Sequence, residues 1–131
     1  MSSALLLCDD LLFASRITGE ARALGLAVKT ARSLDQLLDF ARQEAPAGVL
    51  LDLAFPGLDL PALFRCLAEA CPSPLRVAAY GSHVDTERLR LARSAGCDPV
   101  LPRSKFVEEL PLILQKWKIA EQESNREKST Q

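Results

Sequence analysis

Short apolar runs alternate with amphipathic stretches from one end of the chain to the other, and this rhythm restricts the fold to βα units around a parallel sheet. Five runs read as strands: Ala4 to Cys8, Ala27 to Thr30, Gly48 to Leu51, Leu75 to Tyr80, and Pro99 to Leu101. Most lack polar alternation, as strands covered on both faces do. Between the first two, Phe13, Ile17, Ala21 and Leu24 recur at helical spacing and stop at Gly25. Ser33 and Gln36 form a capping box ahead of Leu37, Leu38 and Ala41. A third helix is predicted from Leu58 to Ala70, a fourth from Val84 to Ala95 with Gly96 as its stop, and a fifth capped by Ser104 and running to about Trp117. Right-handed crossovers put helices on both faces. The fold class is therefore α/β, a single-domain doubly wound (βα)5 parallel sheet with the flavodoxin-like strand order 2-1-3-4-5.

From Lys118 to Gln131 the chain turns polar and charged, with almost nothing to bury. Residues 1–117 are read as the domain and 118–131 as a frayed or disordered tail, with no internal repeat and no second output domain. A chain of 131 residues can bury one self-sufficient core. With 16 basic and 17 acidic residues it has no broad positive field, so nucleic-acid binding is not expected. No apolar run approaches the roughly 20 residues needed to cross a bilayer, and Met1-Ser-Ser-Ala4 lacks the basic start of a signal peptide. A soluble protein with no membrane contact is expected. Cys8, Cys66, Cys71 and Cys97 form no C-x-x-C pair and read as reduced, mostly core thiols of a cytoplasmic protein.

In open parallel sheets, ligands bind outside the carboxyl ends of the strands, where the strand order reverses. Asp9 and Asp10 follow the first strand and Asp52 ends the third, so the three acids are expected to meet there. Clustered carboxylates repel one another, and a hard divalent cation such as Mg²⁺ relieves that repulsion. A carboxylate beside such a cation can attack a phosphoryl group. Asp52 is the best-placed nucleophile and Asp10 the best-placed metal ligand.

From Asp52 the sequence reads Asp-Leu-Ala-Phe-Pro-Gly-Leu-Asp, which resembles the D-x-x-x-P-x-x-D stretch of bacterial two-component response-regulator receiver domains, the CheY-like family. The Asp9-Asp10 pair looks like that family's acidic pair, and Ala95-Gly96-Cys97-Asp98 looks like its A-G-A-D turn before the fifth strand. The likeness covers about residues 3 to 117. It implies a stand-alone phosphorelay domain that is no enzyme in its own right. Asp52 would accept a phosphoryl group from a histidine kinase or phosphotransfer protein. Asp9, Asp10, Asp52 and the backbone carbonyl of Ala54 would hold Mg²⁺, and an unknown downstream protein, or a second copy in a homodimer, would read the result.

The family also places a Thr or Ser at the end of the fourth strand and a Lys at the end of the fifth, both gripping phosphoryl oxygens. Here Gly81 stands at the hydroxyl position, with Ser82 beside it, and Arg103 at the lysine position. The planar guanidinium of Arg103 differs from an ammonium in reach and hydrogen-bond geometry. Ser104 replaces the family's proline after that lysine, so a rearranged loop is expected. Val100 stands where many receivers carry a switching aromatic ring, and Leu60 replaces a common Gly. These substitutions support an alternative, a pseudo-receiver that docks proteins without phosphorylation.

His83 reads as a solvated residue at the start of the fourth helix, Trp117 as a core plug, and Arg88, Arg90 and Arg93 as a solvated helix face. A flavodoxin-like cofactor protein is a third reading, opposed by Asp9-Asp10, which would repel a phosphate.

Overall fold

The computed structural model describes residues 3–71 and 75–129. Five strands, β1 (Ser3–Leu7), β2 (Ala27–Ala31), β3 (Gly48–Asp52), β4 (Arg76–Gly81) and β5 (Val100–Pro102), alternate with α1 (Leu11–Ala23), α2 (Leu34–Gln43), α3 (Leu60–Ala70), α4 (Thr86–Ala95) and α5 (Arg103–Ser129). The strands form one parallel sheet in the order β2-β1-β3-β4-β5, as the sequence predicts.

Strand pleating divides the core in two. Leu5, Leu7, Val49, Leu51, Val77 and Ala79 face α2, α3 and α4. Ala4, Leu6, Cys8, Leu50, Ala78 and Tyr80 face α1 and α5, where they meet Ile17, Phe106, Leu110 and Trp117. Trp117 is the core plug its sequence position suggests, because its ring lies on Gly48 of β3. A Cβ on that glycine would sit 2.6 Å from the ring carbons.

Several ends differ from their sequence-based placement. Asp59 caps α3 and Asp85 caps α4, each carboxylate accepting a backbone N–H, so these helices start later than Leu58 and Val84. His83 thus lies in the connection before α4. Ser104 is no cap: α5 begins at Arg103, directly after β5, and no rearranged loop separates them. α5 also continues past Trp117 to Ser129, where a frayed or disordered tail was expected. The run from Lys118 contains neither Gly nor Pro and is rich in straight-chain helix formers. Residues 1–2 and 72–74 of the expected domain and 130–131 of the expected tail lie outside the described residues.

Arg88 and Arg93 are not simply solvated. Arg88 donates to the carbonyl of Leu53 at 2.9 Å and Arg93 to that of Val100 at 3.1 Å, strapping α4 to the ends of β3 and β5. Arg90 pairs with Glu87 on the helix surface.

Cys8, Cys71 and Cys97 are buried, Cys66 is half-buried, and all four are free. Burial pushes the Cys97 thiol from 9.0 up to about 11. It also raises the Cys8 and Cys71 thiols and the Tyr80 hydroxyl. These groups are acids held neutral by the fold. The stability that Cys97 contributes is therefore complete below 9.0 and is lost as pH climbs through 9.0 to about 11. The urea midpoint is expected to be flat from pH 7 to 8.5 and to fall above pH 9. In Cys97→Ala that fall should be shallower, and an identical slope would remove Cys97 as a cause.

Candidate phosphoacceptor site

β1 and β3 are neighbours in the sheet but lead to α1 and α3 on opposite faces, so the point between their carboxyl ends is where a pocket forms. Asp52 ends β3 there. It is paired in register with Tyr80 of β4 and is 3% exposed, the sole buried charged residue among those described. The alternation that sends Leu50 toward α1 and α5 sends Asp52 the same way, together with Cys8 and Tyr80. Asp52 Oδ1 accepts the Ala54 N–H at 2.9 Å, and Oδ2 accepts the Cys8 thiol at 3.6 Å.

The other two acids have different tasks. Asp10 caps α1, its Oδ1 accepting the N–H groups of Leu12 and Phe13, both at 3.1 Å. Asp9 is turned toward Arg32, 3.9 Å away, in an exposed pair of little energetic weight. The expected convergence of three carboxylates is therefore corrected: among the described residues no three His, Cys, Asp or Glu side chains are placed to share a metal. The reason is local. The start of α1 leaves backbone N–H groups unpaired, and Asp10 is the residue positioned to satisfy them.

Among the described residues, acidic side chains alone therefore do not form a cage. Mg²⁺, however, retains several waters and is usually bound through one or two carboxylates. Asp52 Oδ2, met only by a weak thiol donor, and Asp10, whose capping bonds use Oδ1 alone, are oxygen donors of the right kind.

Arg103 does not pair with Asp52. Its guanidinium carbon lies 5.1 Å from the centroid of the Phe13 ring. Arg103 lines an open cleft with Arg16, Ala54, Ser82, His83 and Ser104. Gly81 faces the opposite side of the sheet from Tyr80, where a Cβ would meet Leu53 and Leu89 at 3.4 Å. The Ser82 hydroxyl is occupied by the Val84 N–H at 3.4 Å.

Two participants escaped the sequence reading. Cys8 was read as one core thiol among four, and Tyr80 as the end of a strand. The available signal was a hydroxyl-bearing ring in an otherwise aliphatic buried strand, since a buried Tyr O–H needs a partner. That partner is Cys8 Sγ, 3.2 Å away.

No protein-family model and no curated protein matches this chain. Solved structures match its fold. The receiver domain of a sensor histidine kinase from Pseudomonas aeruginosa PAO1, with a magnesium ion coordinated in its active-site cleft, is 23% identical, with a TM-score of 0.73 and coverage of 88% of this chain and 96% of that one. A response regulator protein from Burkholderia pseudomallei, with a phosphorylated aspartic acid, a calcium ion and citrate, is 22% identical, with a TM-score of 0.72 and coverage of 97% and 75%. NtrX from Brucella abortus is 24% identical at a TM-score of 0.76, and this chain, 95% covered, spans only 30% of it. The fold is that of response-regulator receiver domains.

Proposed function

We propose that this chain is a signal receiver that accepts a phosphoryl group on Asp52 and passes the signal on by binding another protein. One observation carries the reading. The sole buried charge among the described residues stands at the carboxyl end of the central strand, at the switch point, with one oxygen held only by a thiol. Burying a carboxylate is unfavourable, and such a group in such a place marks a functional site. The receiver fold supports the same conclusion.

In the transfer, Asp52 Oδ2 attacks phosphorus and forms an O–P bond. The bond from phosphorus to the donor breaks, and a donor such as acetyl phosphate leaves as acetate, with no proton required. Mg²⁺, held by Asp52 and Asp10 with the Ala54 carbonyl as a further oxygen ligand and water completing its shell, would neutralise the incoming charge. The protein's own part is to present Oδ2 at a fixed place by holding Oδ1 on the Ala54 N–H. The expected partners are a histidine kinase or phosphotransfer protein upstream and a protein or second copy downstream, in the cytoplasm. Among the described residues no helix is long and apolar enough to cross a membrane.

A second reading, docking without phosphorylation, is favoured by the Arg103 guanidinium resting on Phe13 and by Gly81. Amide spectra recorded with Mg²⁺ and beryllofluoride separate the two. Perturbation centred on Asp52 and Ala54 is expected, and unchanged spectra at millimolar Mg²⁺ would leave only the docking reading. Gly81→Ser would aim its Cβ at Leu53 and Leu89, on the face of the sheet away from Asp52. It is expected to lose about 1–3 kcal/mol of stability by burying an unpartnered hydroxyl and to leave the rate of phosphoryl uptake unchanged, as measured by intact mass against time. A faster rate would show that a hydroxyl at this position reaches the other face.

A further inference from the structure

Cys8 Sγ accepts the Tyr80 hydroxyl at 3.2 Å and lies 3.6 Å from Asp52 Oδ2 and 3.4 Å from the Asp10 carbonyl oxygen. A thiol has one proton, so it serves one of those two oxygens at a time. A carboxylate is the stronger acceptor, which favours Oδ2 while Asp52 is ionised.

We propose that the Cys8 thiol is a two-position switch that reads the state of Asp52. Its S–H points to Oδ2 while the carboxylate is free and turns to the Asp10 carbonyl once Oδ2 is bonded to a phosphoryl group. This rests on the phosphoacceptor reading above. Tyr80 is the positioning residue: its hydroxyl engages a sulfur lone pair, leaving the S–H to face the two oxygens. Its ring is held between Phe13 of α1 and Phe106 of α5, with centroids 4.7 and 4.8 Å away. Asp10 is the residue that starts α1. Both ends of the relay thus lead to α1 and α5, away from the face that carries Gly81 and Val100. The bistable element is one proton between two acceptors, biased by the charge on one of them.

Infrared spectroscopy of the S–H stretch reads this directly, with the Cys8 component identified as the band lost in Cys8→Ser. In the unmodified protein that component is expected at lower wavenumber than the other thiols, because it donates to a carboxylate. Beryllofluoride with Mg²⁺ should move it to higher wavenumber. So should Asp52→Asn alone, an arm that needs neither a Cys8 variant nor phosphoryl chemistry. Tyr80→Phe should broaden the band, because the sulfur loses the hydroxyl that fixes its orientation. Beryllofluoride binding at Asp52 with a stationary Cys8 band would overturn the switch and leave the phosphoacceptor reading standing. No shift in Asp52→Asn would overturn the switch as well. Refusal of beryllofluoride by the unmodified protein would remove the phosphoacceptor reading and the switch with it.

Discussion

Trp117→Ala is expected to destabilise the fold by about 3–5 kcal/mol, the range for emptying a large aromatic site in a packed core. The measurement is the urea midpoint at unchanged slope. The ring is 5% exposed and lies directly on the backbone of Gly48, so nothing else can fill its place without moving β3 or α5. Gly48→Ala alone places a methyl 2.6 Å from rigid ring carbons and is expected to cost about 1–3 kcal/mol by overpacking. With Trp117 already replaced, that penalty should disappear, because the methyl enters space the ring has left. The double variant is then more stable than the sum of the singles implies, by about 0.5–3 kcal/mol. Strict additivity would contradict the contact between Trp117 and Gly48.

Asp52→Asn is expected to reduce phosphoryl uptake from acetyl phosphate to background, as measured by intact mass. The amide oxygen can still accept the Ala54 N–H, so the loop geometry is retained. The variant also removes a charge that is 3% exposed and lacks a strong donor on Oδ2. Its stability is expected to rise by about 1 kcal/mol, since an incompletely satisfied buried charge is costly. Gain of stability with loss of uptake marks a residue retained for chemistry. Undiminished uptake would move the phosphoacceptor elsewhere.

The strands were legible as uninterrupted aliphatic runs and the ends of α1 and α4 as Gly25 and Gly96, which adopt positive φ at 75° and 110°, whereas the strand order rested on the flavodoxin-like fold class. The position of Asp52 was legible from the rule that sites form at switch points. The destinations of the neighbouring side chains were not. Asp10 can cap a helix or hold a cation, and only the start of α1 decides that its Oδ1 caps. Arg103 can reach an acid or lie on a ring, and the nearness of Phe13 across two helices does not appear in linear spacing. Ser104 looked like a cap, but β5 runs straight into α5, and the helix starts one residue earlier. The Tyr80–Cys8–Asp52 contacts depend on three strands being in register, which periodicity alone does not fix.

The seamless junction of Pro102 and Arg103 also limits how the cation of this cleft can travel. A basic residue carried on a flexible connection could approach Asp52 by backbone drift. Arg103 belongs to the opening turn of a helix anchored by Phe106, Leu110 and Trp117. Its charge can advance only by rotation about its own side-chain bonds, with the guanidinium leaving the ring of Phe13, unless the whole of α5 slides along the sheet.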